Sequence, residues 1–216
     1  MENQRRLNAI LPSESITKKF ANPVKFIEYG IERIEFLVRN KPNDLFQIGI
    51  AAWDRFCNAN PNQDKFIFGR ECQTNNPLLY KKVSKHINEN VIKDILYVHG
   101  EVQDPELDDK ETVELILAHS YPNILMIVDV MLVNPYEPVI PQKYDFQEYH
   151  GLGLFAELLE NAIQYCKQEG IEEIYLTAAD IPLKKHFEKY GFVVHDTWIG
   201  KAALEAGQGI PMSMYL

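Results

Sequence analysis

The sequence lacks a basic block. Its 216 residues carry 22 Lys and Arg against 31 Asp and Glu, a formal net charge of -9, and no run of cations of the kind that neutralises a phosphate backbone occurs along it. Nucleic acid is therefore not an expected partner. A single anionic ligand remains compatible with this balance, because a few oriented backbone amides outweigh a distant negative surface. Cysteine is scarce too. Cys57, Cys72 and Cys166 are odd in number, widely spaced and form no Cys-x-x-Cys pair, which fits neither a disulfide framework nor a zinc site; they read as idle thiols in a reducing cytosol. His86, His99, His119, His150, His186 and His195 show no His-x-x-x-His spacing, so no metal is expected. A signal-type apolar stretch near Met1 and an 18-residue apolar run are both missing, and the chain reads as soluble and cytoplasmic.

What is present is a hydrophobic content of 46%, enough for a buried core in a single domain or in one domain with an appendage. Residues 1-21 read as a polar N-terminal arm. Residues 22-94 read as a mainly helical part: Asn22-Pro23 caps and opens a helix through VKFIEYGIERIEFLVR, Asp44 caps a second through LFQIGIAAWDRFC, and Asn76-Pro77 starts a third, where Leu79, Val83, Ile87, Val91 and Ile95 recur every four residues. A short strand, KFIFG, stands between the last two. From residue 95 the texture changes to β-branched apolar runs, ILYVHGEV, VELILAHSY and ILMIVDVMLV, bounded by turn residues. They read as three strands, although VELILAH fits a helix equally well.

After Gly151 the period is helical, with Phe155, Leu159, Ala162, Ile163 and Cys166 on one stripe and Gly170 as a left-handed stop. IEEIYLT alternates as a strand. Asp180 caps a short helix with Pro182 in its first turn and Leu183, Phe187 and Tyr190 facing inward, ended by Gly191; FVVH and GIPMSMYL close the chain as strands. The order is informative. A buried strand ending Val133-Asn134-Pro135 leads to the turn Glu148-Tyr149-His150-Gly151-Leu152-Gly153 and then directly to an amphipathic helix. Glycines admit a ligand close to the backbone, and the unpaired amides and positive dipole end of the helix favour phosphate oxygens.

Residues 123-216 resemble the GNAT family of N-acetyltransferases. The resemblance rests on Val133-x-Pro135 at the end of the fourth strand, Gly151-Leu-Gly153 as the pyrophosphate loop, the LTAADIPLKKHFEKYGF stretch of residues 176-192, similar to the histone-acetylating branch, and the terminal MSMYL. It implies an α/β (α+β) fold, a GNAT-like mixed, mostly antiparallel sheet flanked by helices, with 95-216 as the acyl-CoA-binding core. It further implies acetyl-CoA as co-substrate, its pantetheine arm in the gap where strands four and five splay apart, beside Leu132 and Val133. Tyr149, His150, Gly151, Leu152, Gly153 and Leu154 would hold the diphosphate, with Asp180 and Phe187 lining the same cofactor site. The reaction implied is direct attack of a primary amine on the thioester carbonyl, with a strand amide holding the oxyanion.

Three departures from the family pattern stand out. The Gln or Arg that opens the pyrophosphate loop is here Glu148, an acid toward phosphates unless it turns outward. Twelve residues, YEPVIPQKYDFQ, separate Pro135 from Glu148 where the family makes a short turn; they shape substrate choice or form a surface excursion without function. The tyrosine that protonates the leaving thiolate falls at Phe187, as in the histone-acetylating branch. Tyr190 lies on nearly the same helical face and is the candidate substitute, with a core or rim tyrosine as the alternative reading. Asp129, a charge inside the apolar run ILMIVDVMLV on the same face as Met131 and Val133, is the candidate base. Its ordinary pKa of about 3.9 must be raised by burial for that task. The alternative is an aspartate satisfied by neighbouring amides.

The expected function is acetyl transfer to a primary amine of a small molecule or protein. A GNAT-like sensor that binds CoA without turnover, and transfer of a longer acyl chain, are the competing readings.

Overall fold

In a computed structural model of the chain, residues 7–60, 83, 85, 90–142 and 148–216 are described. Among the described residues eight strands build the fold: β1 (Val24–Tyr29), β2 (Ile92–Val102), β3 (Glu111–Ser120), β4 (Ile124–Pro138), β5 (Tyr149–Gly151), β6 (Glu173–Asp180), β7 (Val193–Val194) and β8 (Gln208–Tyr215). They run in the order β1-β2-β3-β4-β6-β8-β7, with β5 paired to β4. The described pairings are antiparallel except for β4 beside β6. The mixed, mostly antiparallel sheet flanked by helices is thus the architecture expected from the sequence.

The helices are α1 (Ser13–Thr17), α2 (Ile34–Asn40), α3 (Pro42–Ala59), α4 (Phe155–Glu169), α5 (Ile181–Glu188) and α6 (Trp198–Ala206). Strand alternation divides the apolar side chains between the two faces. Val98, Leu115, Leu125, Ile127, Ile174 and Leu176 turn to α4, whereas Ile95, Tyr97, Ile116, Ile124, Met126 and Tyr175 turn to α2 and α3. Among the described residues, no helix is long and apolar enough to cross a membrane.

The N-terminal half departs from the sequence reading in three places. Leu7–Ile10 forms a 3-10 turn followed by α1, and Leu7, Ile10, Leu11 and Ile16 are buried on the α4 side, so this part of the expected polar arm is core. Each such side chain stabilises by roughly 1.5–3 kcal/mol relative to exposure. Secondly, VKFIEY is strand β1, not helix: it pairs from Val24↔Val102 to Tyr29↔Tyr97, and the helix of that stretch begins only at Ile34. Cross-strand packing overrides propensity here. Phe26 covers Gly100, where a Cβ would stand 3.1 Å from its ring and 2.9 Å from Val113 Cβ.

Thirdly, Val91 and Ile95 do not continue a third helix. Val91 precedes β2 and Ile95 lies in it, while Val83 is helical and buried. Apart from Lys85 and Asn90, the other residues of that expected helix, together with the KFIFG strand, Cys72, His86 and residues 143–147, lie outside the described residues. The helix α3 starts at Pro42 rather than being capped by Asp44, which sits in its first turn.

The C-terminal elements match the expectation closely. The helix α4 stops at Gly170, whose φ of 65° suits glycine. Asp180 caps α5 by accepting from Leu183 N–H at 2.7 Å. Leu183, expected to face inward, is exposed. The helix α6, capped by Thr197 through Gly200 N–H, has no counterpart in the sequence reading.

Candidate functional site

Two strands part at the centre of the sheet. The parallel ladder pairs Leu125↔Ile174, Met126↔Tyr175 and Ile127↔Leu176 and ends there, while β4 continues to Pro138 and β6 to Asp180. Beyond Ile127 the inner edge of β4 faces a gap toward β6, which remains paired to β8 as far as Asp180↔Gln208.

A β-bulge marks the same point. Ile116 pairs with Asp129 and Leu117 with Ile127, so Val128 is the extra residue. Without it, alternation from Ile127 would send Asp129 to the α4 face. With it, Val130 and Leu132 pack on the α4 side, and Asp129 lies half-buried among charges contributed by α3 and β3.

The turn before α4 alternates in the same way. Leu152 and Leu154 are buried and anchor the backbone, whereas Gly151 and Gly153 are exposed. Gly153 has φ 72°, with nothing within 4 Å of where a Cβ would stand. Leu152 N–H donates to Leu132 C=O at 2.9 Å, and Val133 stands opposite Gly151. This makes Val133 and Gly151 a non-hydrogen-bonded pair, so the Gly151 amide is directed away from β4. The first turn of α4 has no side-chain cap. Exposed glycines, buried leucine anchors and an uncapped helix start leave the backbone of this turn open to solvent, the chemistry of an anion-binding turn. Glu148 is exposed, its carbonyl accepting from Val139 N–H, and His150 is exposed opposite Asn134.

The remaining expected site residues fall in different places. Val133 C=O accepts from Thr112 Oγ1 at 2.5 Å on the β3 side, so it turns away from the gap, whereas the Leu132 C=O on the other edge is taken by Leu152 N–H. Tyr149 is half-buried beside Asp109. Phe187 is buried against Phe155 and Phe192, with ring centroids at 5.3 and 6.0 Å. Tyr190 meets Phe155 edge-on at 5.1 Å and His186 at 5.3 Å, on the α4 face. Tyr190 and Asp129 therefore occupy opposite faces of the sheet. Asp180 is engaged as the cap of α5.

Asp129 has a distinctive setting. Burial pushes its carboxyl up to about 7, reinforced by the negative charges of Asp44 and Glu114 and a hydrogen bond with Glu114, against a bond from Val130 N–H that favours ionisation. Burial also raises the Asp44 carboxyl. Lys41, at the start of α3, forms an ion pair with Glu114 and lies 5.3 Å from the Tyr97 ring centroid. Sequence reasoning missed Glu114, Lys41, Asp44 and Thr112. Glu114 carries the signal that singled out Asp129, a charge within an apolar strand, VELILAH.

No protein-family model matches the chain, and no curated protein matches it. Among solved structures it is similar to nourseothricin acetyltransferase, at 17% identity and a TM-score of 0.36 over 56% of this chain and 65% of that one. It is also similar to an acetyltransferase of the GNAT family from Staphylococcus aureus Mu50, at 14% identity and a TM-score of 0.39 over 89% and 99%. A third is an acetyltransferase from Streptococcus agalactiae 2603, at 13% identity and 0.35 over 91% and 100%. The chain thus spans less than two thirds of nourseothricin acetyltransferase. Likenesses of this size leave the chemistry of the cleft to its own geometry.

Proposed function

We propose that the chain is an acyl-CoA-dependent N-acetyltransferase whose site is the gap between β4 and β6. The observation that carries this reading is the end of the parallel ladder at Ile127↔Leu176 beside the Gly151-Leu152-Gly153 amide surface and the uncapped start of α4. Acetyl-CoA bound there supplies an activated acetyl thioester. The outward amides of Gly151, Gly153 and Leu154 hold its diphosphate, with Tyr149 and His150 at the rim and Leu152 as the buried anchor. The β4 edge near Leu132 receives its arm; Val133 supports that edge through Thr112.

Asp129 accepts a proton from the acceptor ammonium, leaving the free amine whose lone pair attacks the thioester carbonyl. As the C–N bond forms and the C–S bond breaks, the second proton passes from nitrogen to solvent, and the thiolate takes up a proton from solvent and departs as a thiol. A base that titrates near neutrality suits this task, because it is ionised enough to accept and basic enough to hold the proton. Tyr190, packed edge-on against Phe155, is not assigned the thiolate proton; solvent supplies it.

Calorimetry with acetyl-CoA, followed by thiol release across a panel of primary amines, tests the reading. Heat of binding and amine-dependent release support it. Binding without release by any amine gives the CoA-sensor alternative, in which Glu148 and Phe187 mark a site that binds without turnover. Comparing acetyl-CoA with longer thioesters in the same assay separates acetyl from longer acyl transfer. No heat with any CoA species removes the site altogether.

A further inference from the structure

Asp44 of α3 and Glu114 of β3 bear on Asp129. The charged and titratable groups around those two are Lys41, just before α3, Glu111 on β3, and Tyr97 and His99 on β2. The strand register sets Ile116 opposite Asp129 and Glu114 opposite Met131, so Glu114 and Asp129 are diagonal neighbours on one face, within reach of a side-chain contact. They are hydrogen-bonded to one another. Two carboxyl groups make that bond only when one of them carries a proton, since two ionised groups have acceptors and no donor.

Which group carries it is decided by the rest of the cluster. Glu114 forms the ion pair with Lys41, and His99 is occupied elsewhere, between Glu111 at 2.9 Å and Glu101 at 3.0 Å. Asp129 has the Val130 amide but no cation among its described contacts. The proton of the pair therefore rests on Asp129, whose carboxyl is raised by burial and by the neighbouring charges, while Glu114 is held in its ion pair with Lys41.

We propose that Glu114 is a positioning residue for Asp129: anchored by Lys41, it shares one proton with Asp129 across β3 and β4 and so fixes the orientation and proton affinity of the carboxyl beside the gap. This rests on the reading of Asp129 as the base of an acyl-transfer site. When Asp129 loses its proton, the hydrogen bond opens and the two carboxylates repel. Taking a proton from the acceptor ammonium restores the bond, so no further reactant is needed.

The test is a 13C carboxyl titration of the full chain labelled at aspartate, with the Asp129 resonance assigned by its loss in Asp129→Asn. Glu114→Gln removes the neighbouring charge, and the Asp129 midpoint is expected to fall by about one pH unit or more. Lys41→Met removes the cation, and the midpoint is expected to rise. Glu114→Asp keeps the charge and restores most of the wild-type value. The acidic limb of the kcat profile should move with each midpoint, while the Kd for acetyl-CoA stays within about twofold. An Asp129 midpoint unmoved in both Glu114→Gln and Lys41→Met overturns the proposal whatever the turnover. Midpoints that move as expected in a protein that acetylates no amine keep the shared proton but overturn its catalytic role, together with the acyl-transfer reading. The titration itself does not depend on activity, and the lysine variant keeps the question open to decision if the glutamine variant folds poorly.

Discussion

Ile127 and Leu176 are the last parallel partners of β4 and β6, and the next residue of β4, Val128, is the bulge that turns Asp129 toward α3. Strand separation and side-chain redirection thus occur at one position. The bulge leaves β4 paired to β3 on one side while its other edge opens, so the backbone that frees the gap also turns the adjacent Asp129 carboxyl toward Asp44 and Glu114.

Asp129→Asn is expected to lower kcat by a factor of roughly 10² or more, the range of a general base, with the Kd for acetyl-CoA within about twofold. In the wild type, turnover should rise with pH through about 7, because the deprotonated form accepts the proton. The variant should lack that inflection. Unchanged turnover would remove Asp129 from the mechanism.

The same carboxyl has a stability signature of the opposite sense. Its folded pKa lies above its unfolded value, so its contribution is fully present below about pH 4 and is lost as pH rises through about 7. An asparagine mimics the protonated form. Asp129→Asn should therefore raise the Tm at pH 8 relative to wild type, more than at pH 5, in matched thermal melts; a lower Tm at pH 8 contradicts the buried-carboxyl account.

Glu173 gives the reverse case. Burial alone would raise its carboxyl, but the hydrogen bond from His195, the Arg55 charge and the Ser213 hydroxyl hold it down at about 2. Arg55 projects from α3 and also lies 4.7 Å from the Tyr175 ring centroid, so the pair ties that helix to β6. The stabilisation is present above pH 4.5 and fades as pH falls toward 2. Its size is roughly 3 kcal/mol. Glu173→Gln should lower the denaturation midpoint in urea at pH 7 accordingly, and the gap from wild type should close at pH 2 to 3.

Gly153→Ala probes the amide surface with little change to packing. At φ 72° an L residue costs about 1 kcal/mol, and the space beside it is open. A Kd for acetyl-CoA weakened about five- to tenfold by calorimetry is expected, with the Tm a few degrees lower. An unaltered Kd would argue that the diphosphate binds elsewhere.

Gly200→Ala tests a contact that the chain sequence does not announce. A Cβ there would stand 2.1 Å from His195 C=O, so α6 must shift from the strand segment it covers. Crowding of this kind costs about 1–3 kcal/mol, read as a lower midpoint in chemical denaturation. A neutral result would mean that α6 moves freely on β8.

The C-terminal half was legible because its signals are local. Gly170 and Asp180 act at the ends of their own helices, and the strand, glycine turn and amphipathic helix of 124–169 follow one another directly. Residues 7–29 were not, because their fate depends on distant partners. VKFIEY becomes a strand through pairing with β2, some seventy residues away, and Leu7, Ile10, Leu11 and Ile16 become core because α4 covers them.

Sequence alone determined the turn before α4 and the choice of Asp129 as a charge needing explanation, since period and turn chemistry are properties of neighbouring residues, and it pointed to the class of fold through the resemblance of residues 123-216. Tertiary structure decided the bulge at Val128, the union of Asp129 with Glu114 and Lys41, the diversion of Val133 to Thr112 and the separation of Tyr190 from Asp129. Those depend on strand register, and a register exists only once residues far apart in the chain have paired.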